Sequence, residues 1–380
     1  MGRNGATGSR VSNLDGEAPE STDFANYFCT YAYIYHQKDM LEDHKRTGAY
    51  YQACMQNRGQ FANKVVLDVG TGSGILAIFA AKAGAKKVYA VEATSMAINA
   101  KRMVEAQGLE GVIEVIQGVI ESVEIPEKVD IIISEWMGYF LLRESMLDSV
   151  VVARDRFLKP DGALYPSHAR LFMAPIRTQI AAQRTADFQN SMHGWGEFIE
   201  DMREMYGVEM DCLSADYRKE QKEYYSQTSA WTDIHPSQMV GPPALIKAYD
   251  LKTVTLEELK APLNANFTMS VTERGSVDAY CGFFDTEFKG STENPADFPI
   301  TLSTAPDPTG ATHWGQQSFF LQPSLQVAAG DKIVCELQMR RRKENHRLLE
   351  VHLKHTIENK DATKGSVVKA PERVSHFIIE

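Results

Sequence analysis

In the first half of the chain, apolar and polar positions fall into two kinds of block. KVVLDV from Lys64 and KVYAVE from Lys87 are short, nearly continuous apolar runs. IEVIQG from Ile113 and VDIIISEW from Val129 complete a set of four. Runs of this length, rich in Val and Ile, predict strands buried on both faces. Between them lie ILAIFAAKAGA, closed by Gly84, and SMAINAKRMVEAQGL, both of helical length. A further helix is expected from Glu144 to about Leu158. Strand and helix in alternation predict a parallel sheet with helices on both faces, an α/β fold of Rossmann type.

The flanks read differently. Residues 1–21 are rich in Gly, Ser and Asn and poor in apolar groups, which predicts a disordered tail. TDFANYFCTYAYIYHQKDML then sets Phe24, Tyr27, Phe28 and Tyr31 at helical spacing, with Ser21 or Thr22 as the cap. Such an aromatic face is ordinarily a core stripe. Placed before the first strand, it can also fold over a site as a lid. After Lys159-Pro160-Asp161-Gly162 the pattern changes, and ALYPSHARLFMAPI reads as extended chain. Residues 177–228 are polar and aromatic with helical patches such as HGWGEFIEDMREMYG. From about 244 onward, short alternating segments predict an antiparallel β domain, sandwich or barrel. The expected division is a tail (1–21), helices (22–63), a Rossmann-like domain (64–166) and a β domain (167–380) with an inserted segment (177–228).

Length and charge narrow the picture modestly. The 380 residues suggest two or three domains and a substantial core. Fifty acids against forty Lys and Arg give a net charge of −10, the opposite of the usual nucleic-acid binder. An acidic surface favours cationic partners, although mild acidity is also common among cytosolic proteins. The five cysteines are scattered and never spaced as CxxC, so neither a disulfide framework nor a zinc site is expected. No apolar run reaches the ~18 residues of a membrane span, and no signal peptide is recognisable. Ala6 breaks the myristoylation pattern that the opening Met-Gly would otherwise begin.

The candidate chemistry begins at VLDVGTGSGIL. Gly70, Gly72 and Gly74 stand where the first strand turns into a helix, with Thr71 inside the turn. Glycine lets the backbone turn tightly and approach a ligand, and the helix N-terminus offers free N–H groups. The dinucleotide pattern GxGxxG fails, because Ile75 occupies the third glycine's slot. GxGxG preceded by Asp68 fits S-adenosylmethionine better. Glu92 ends the second strand about 20 residues on, where an acid meets ribose hydroxyls. Glu121, past the third strand, is placed to meet an adenine amino group. Each acid alone reads as a solvated strand end, but three at successive strand ends point to a cofactor site.

The stretch SEWMGYFLLRESM adds two glutamates around an apolar loop. Glu135 ends the fourth strand and Glu144 opens the next helix, so both lie at the ligand-binding edge of the sheet. Two converging carboxylates repel unless a cation sits between them. A guanidinium is planar, permanently charged and forked to suit carboxylates. The pair is therefore suited to hold an arginine. The competing reading leaves them as an ordinary strand-end acid and helix-start acid.

The sequence resembles the protein arginine methyltransferases from about Phe24 to its C-terminus. SEWMGYFLLRESM is similar to their double-glutamate loop, Tyr27–Tyr31 to their YFxxY helix, and Thr312-His313-Trp314 to their THW loop. The 177–228 insertion resembles plant members. Gln37 departs from the His common there, and Arg143 from a Tyr. The resemblance implies that Arg46 binds the methionine carboxylate of S-adenosylmethionine, Glu92 its ribose and Glu121 its adenine. It implies that Glu135 and Glu144 clamp the substrate guanidinium and that His313 pairs with Asp43 nearby. Tyr31 would shape the site, and Tyr27 would belong to a helix closing over the cofactor. Met40 and Met146 would leave room for asymmetric dimethylarginine, the type I product.

The same resemblance implies arginine- and glycine-rich protein substrates, such as histone tails or RNA-binding proteins. It also implies a homodimer made through residues 177–228, in cytoplasm and nucleus, without membrane or direct nucleic-acid binding. Three other readings compete: a small-molecule or nucleic-acid methyltransferase on this fold, a non-catalytic scaffold for arginine-rich partners, and an NAD-dependent oxidoreductase. The acidic charge and the lack of an NPPY-like motif weigh against a nucleic-acid enzyme. The intact glutamates, His313 and glycines weigh against the scaffold, and the glycine spacing against NAD. The cluster Arg340, Arg341, Arg342, Lys343 and Arg347 reads first as a solvated hairpin, and second as a nuclear or phosphate-binding patch.

Overall fold

The computed structural model describes residues 27–360 and 367–380. The expected tail, Phe24 and the cap at Ser21 or Thr22 lie outside these residues. Five parallel strands form the first sheet: β1 (Val65–Val69), β2 (Lys87–Glu92), β3 (Ile113–Gln117), β4 (Val129–Ile133) and β5 (Leu158–Tyr165). Their order is β3-β2-β1-β4-β5. β1 is central and buried along its whole length, as its unbroken apolar run predicts. The order reverses between β1 and β4, so the carboxyl ends of these two strands flank the crevice where open α/β sheets bind ligands.

The fifth strand was expected only in part: residues 163–165 open the stretch read as extended chain, but the start at Leu158 and the place in the parallel sheet were not expected. Its early residues Lys159-Pro160-Asp161 are polar and partly exposed, and its apolar end carries most of the pairing. Ala163, Leu164 and Tyr165 lie beside Ile131, Ile132 and Ile133. The turn-like residues that suggested a boundary are thus the solvent-facing start of an edge strand.

Residues 27–31 form helix α1, followed by α2 (Ile34–Glu42), α3 (His44–Met55) and α4 (Arg58–Phe61). α5 (Ile75–Lys82) and α6 (Met96–Ala106) connect the first three strands. α7 (Met146–Phe157) starts two residues later than expected, because Glu144 and Ser145 take positive φ of 83° and 56°. Glu144 therefore belongs to the strained loop before the helix rather than to its first turn.

The second half of the chain builds two antiparallel sheets that close into a barrel-like body. β10 (Gly275–Gly290) is the spine of one, flanked by β6 (His168–Ile176) and β12 (Gln316–Val327), with β7 (Ala230–Thr232) on β12, β8 (Ala244–Asp250) on β6 and β11 (Pro295–Ser303) on β10 itself. β13 (Lys332–Arg341) and β14 (Leu349–Lys360) centre the other, with β9 (Leu263–Ser270) on β13, and β15 (Val367–Lys369) and β16 (Arg373–Ile379) on β14. One apolar core runs through both domains. Phe140, from the loop between the two glutamates, packs edge-to-face on Phe319 of the barrel. Gly282 makes room for it, since a Cβ there would fall 2.3 Å from the Phe140 ring. The apolar filling of SEWMGYFLLRESM is thus an anchor that locks the site loop to the barrel.

The insertion leaves the barrel as α8 (Ile180–Tyr206) and returns as α9 (Ser214–Lys222). Of the 27 residues of α8 only Ala181 is buried, so the two helices stabilise chiefly each other. Trp195 stacks on Tyr217 at 4.3 Å and donates to Ser214 Oγ. At the base, Arg184 donates to the carbonyls of Tyr225 and Thr228. Among the described residues no helix is long and apolar enough to cross a membrane.

Phe284 lies in the shared core against Trp314 and is 1 % exposed. Phe284→Ala is expected to lower unfolding free energy by ~3–5 kcal/mol, read from the guanidinium denaturation midpoint. An unchanged midpoint would refute this account of the core.

Candidate active site

The glycine turn follows β1. Gly70, Gly72 and Gly74 all have positive φ, between 54° and 89°, which only glycine adopts readily. Asp68 lies fully buried beneath the turn. Its Oδ2 accepts from Thr71 Oγ1 and from the Ala77 amide. This corrects the expectation that Asp68 touches cofactor: it braces the turn from behind and does not line the cavity. Burial pushes its carboxyl up to about 7, only partly offset by those two hydrogen bonds.

A cavity opens in front of the turn. Gly70, Thr71 and Gly72 form its floor, Glu92 and Glu121 one side, and Tyr27 and Tyr31 part of its cover. Glu92 is rigidly held, accepting from the amides of Gly72 at 2.9 Å and Thr94 at 2.8 Å. Glu121 sits at the exposed rim and accepts from Ser149 Oγ at 2.7 Å. Gln37 is buried over the turn, where its Oε1 accepts from the Ser73 amide and its Nε2 donates to the Tyr31 carbonyl. The residue that departs from the family's His thus ties the turn to α1.

The double-glutamate loop lies at the far end of this cavity. Glu135 faces Arg46, whose Nε and Nη2 both donate to Glu135 Oε2, at 3.0 and 2.7 Å. Arg46 Nη1 donates to the Met40 carbonyl. Burial alone would lower the Arg46 pKa, but Glu135 more than offsets this and the guanidinium stays charged. Arg46 still lines the cavity, yet here it serves a carboxylate of its own chain.

Glu144 is held by three side chains. Its Oε2 accepts from Tyr31 at 2.7 Å and Tyr27 at 3.0 Å, and its Oε1 lies 3.4 Å from Arg143 Nη1. Burial raises its pKa, Tyr31, Arg143 and Tyr27 pull it down, and Glu135 pushes it up; the balance is a raised value. The two tyrosines are the inner face of the aromatic stripe, so α1 is docked on Glu144 by hydrogen bonds. Gly138 is needed in this loop, since a Cβ there would lie 1.9 Å from the Arg143 carbonyl oxygen.

A second cavity meets the first at this wall. Tyr27, Tyr31, Met40, Glu135, Met137 and Glu144 line both. His313 faces only the second cavity, and Met146 lies on the cofactor-side cavity rather than here. His313 Nδ1 lies 2.7 Å from Asp43 Oδ2, which also accepts the His313 amide at 2.9 Å. Burial acts to raise the Asp43 pKa, but hydrogen bonds from His313 and from the Arg46 and His313 amides outweigh it, lowering the carboxyl to about 2. Trp314 completes the THW segment by donating to the Met137 carbonyl.

The basic cluster lies at the β13–β14 hairpin, as expected, but only Arg340 and Lys343 are exposed and the other three are partly buried. Arg341 makes two 2.7 Å bonds to Asp148 of α7. Arg340 pairs with Glu350. Arg347 lies 3.9 Å over the Tyr27 ring, donates to the Glu144 carbonyl, and accepts the Glu144 amide on its own carbonyl. Nothing in the local sequence marks Arg347 as part of the site. Its partners lie about two hundred and about three hundred residues away in sequence order, a pairing visible only after folding.

Residues 168–360 match the family profile described as an arginine methyltransferase oligomerization subdomain. Over 358 residues the chain is 50% identical to the rice (Oryza sativa subsp. japonica) protein arginine N-methyltransferase PRMT10, covering 93% of this chain and 94% of that protein. The chain belongs to the protein arginine methyltransferases. Residues 44–166 also match the profile of a ribosomal protein L11 methyltransferase. The Arabidopsis thaliana PRMT10 sequence is 48% identical over 92% of each chain. Its crystal structure, described as a uniquely open conformation, superposes with a TM-score of 0.88, covering 93% of this chain and all of that one, at 47% identity. A Trypanosoma brucei PRMT1 enzyme–prozyme complex with AdoHcy gives a TM-score of 0.73 at 30% identity, covering 92% of this chain and 100% of that one. The protein is thus an S-adenosylmethionine-dependent protein arginine methyltransferase.

The first cavity of this methyltransferase fits that cofactor: a floor in which two of three residues are glycines, a fixed carboxylate suited to hydroxyls, and carboxylates at its far end. Gly70→Arg is expected to abolish cofactor binding by calorimetry, since the φ there is 72° and even a Cβ would press on Met146 at 3.0 Å. Unchanged affinity would remove the turn from the site. Asp43 supplies an acid-stability test. Its folded-state pKa lies below the unfolded value, so its contribution is complete above about pH 4 and lost as pH falls toward 2. Asp43→Asn should lower stability at neutral pH and flatten that acid loss in denaturation series.

Proposed function

We propose that the chain is a type I enzyme, forming mono- and asymmetric dimethylarginine on arginine- and glycine-rich proteins such as histone tails or RNA-binding proteins. One observation carries the reading: Glu135 and Glu144 stand in the wall between two cavities, one suited to S-adenosylmethionine and the other open to a side chain. The proposed roles follow from that wall. Glu92 holds ribose hydroxyls, Glu121 the adenine, and Arg46 the methionine carboxylate when it turns from Glu135. Glu135 and Glu144 hold the substrate guanidinium, with Tyr27 and Tyr31 as the cover. Met40 and Met146 bound the space for a second methyl group.

S-adenosylmethionine supplies a methyl group already activated by its sulfonium. The chain's own residues do the rest. Alignment of a nucleophile in such a pocket contributes ~7–11 kcal/mol at best. A guanidinium is a poor nucleophile because its electrons are delocalised and its pKa is high. Two carboxylates draw positive charge toward the nitrogens they bind and leave the reacting nitrogen richer in electrons, an electrostatic preorganisation. The proton released goes to Glu144, whose raised pKa suits it, or to His313, which Asp43 holds at Nδ1.

The homodimer is proposed through the α8–α9 arm. It is supported by the matching oligomerization profile and by exposed Phe198, Met205, Tyr206 and Leu213 toward the arm's outer end. The enzyme would act in cytoplasm and nucleus. Deleting the arm should give inactive monomers in sedimentation and activity assays; a fully active monomer would refute the role.

The reaction is tested with isotope-labelled S-adenosylmethionine and a Gly-Arg-rich peptide, followed by mass spectrometry of methylarginines. Asymmetric dimethylarginine is expected, with Glu144→Gln retaining cofactor binding and losing most turnover. A symmetric product would overturn the type I reading, and wild-type turnover in the variant would overturn the clamp. The raised Glu144 pKa places the acid limb of kcat/KM above the ordinary glutamate range. A limb at or below that range would show that Glu144 is not the group being titrated.

A further inference from the structure

Both clamp carboxylates carry an arginine of the same chain. For Glu135 the partner is Arg46, well buried and bound through two nitrogens at 2.7 and 3.0 Å. For Glu144 the partner is Arg143, and the contact is of another quality. It is a single approach at 3.4 Å, from a side chain about one quarter exposed. Arg143 Nε is buried and has no hydrogen-bond partner among the described residues. A guanidinium normally satisfies several of its five donors when buried, so this one is loosely seated. It lies over the Tyr139 ring at 5.6 Å and lines the second cavity together with Glu144, Glu135 and His313.

Glu144 has limited acceptor capacity. Tyr27 and Tyr31 occupy its Oε2, and its amide and carbonyl are tied to Arg347. Oε1, where Arg143 sits, is the part of the carboxylate left for an incoming group. We propose that Arg143 is an internal placeholder, a guanidinium that occupies Glu144 Oε1 in the resting enzyme and is displaced by the substrate's own guanidinium. The inference rests on the clamp reading of Glu144 and adds a residue that sets substrate affinity. The physical logic is solvation. Water and Tyr hydroxyls alone solvate a buried carboxylate poorly, so a resident cation keeps Glu144 charged until substrate arrives. The arrangement costs affinity, because each arginine substrate must compete with a tethered one.

The test uses the full-length protein with S-adenosylhomocysteine at pH 9, an alkaline condition that favours the charged form of Glu144. N-propylguanidine is titrated by calorimetry, a probe that requires no knowledge of the physiological substrate. Arg143→Gln is expected to bind it at least threefold more tightly than wild type, with Arg143→Lys in between and cofactor affinity unchanged. Peptide KM should fall in the same order. Equal or weaker binding by Arg143→Gln overturns the placeholder. If Arg143→Gln does not fold, equal binding by Arg143→Lys and wild type overturns it. Failure of the underlying methyltransferase reading shows up separately, as a wild-type protein that binds cofactor and transfers no methyl group to any Gly-Arg-rich peptide.

Discussion

The structure depends on giving two buried carboxylates hydrogen-bonding and cationic partners at one edge of a parallel sheet. Glu135 and Glu144 are both largely removed from solvent, with side chains 11% and 17% exposed. Leaving such groups unpaired costs several kcal/mol each, so the surrounding chain is organised around their partners. Arg46 comes from α3, Arg143 from the loop itself, and Tyr27 and Tyr31 from α1, while Arg347 of the β13–β14 hairpin holds the Glu144 backbone. Two helices and the loop therefore converge on one wall for the same electrostatic reason. The pairing that solvates the carboxylates also positions the cavities on either side of it.

Rigidity is supplied from behind. Asp68 holds the glycine turn, Gln37 ties that turn to α1, and Asp43 fixes His313 through two hydrogen bonds to one oxygen. The apolar centre of the glutamate loop is used the same way, with Phe140 inserted beside Phe319 and Trp314 bonded to the Met137 carbonyl. The Rossmann-like domain and the barrel thus share one core rather than meeting at a wet interface. A site built between them is held by packing on both sides.

Much of this was legible in the residues. Continuous Val- and Ile-rich runs gave the parallel strands, and glycines at a strand–helix turn with acids at the next strand ends gave the cofactor side. The hidden elements have identifiable causes. The start of β5 was obscured because its partly exposed early residues are Lys-Pro-Asp. The late start of α7 was obscured because Glu144 and Ser145 adopt left-handed backbone, a conformation that loop strain rather than residue type imposes. Asp68 was assigned to the ligand because strand-end acids commonly face it, but a strand alternates sides and this one points beneath the turn.

Sequence by itself determined the sheet, the glycine turn, the pair of glutamates and the family, because each is written in contiguous residues whose periodicity or spacing carries the physics. Tertiary structure alone decided which charge meets which. Arg46, Arg143 and Arg347 are three among forty Lys and Arg, and nothing local says which group each one meets. Electrostatic partnership is a function of distance in space and of burial, and both are fixed only when segments hundreds of residues apart are packed against one wall.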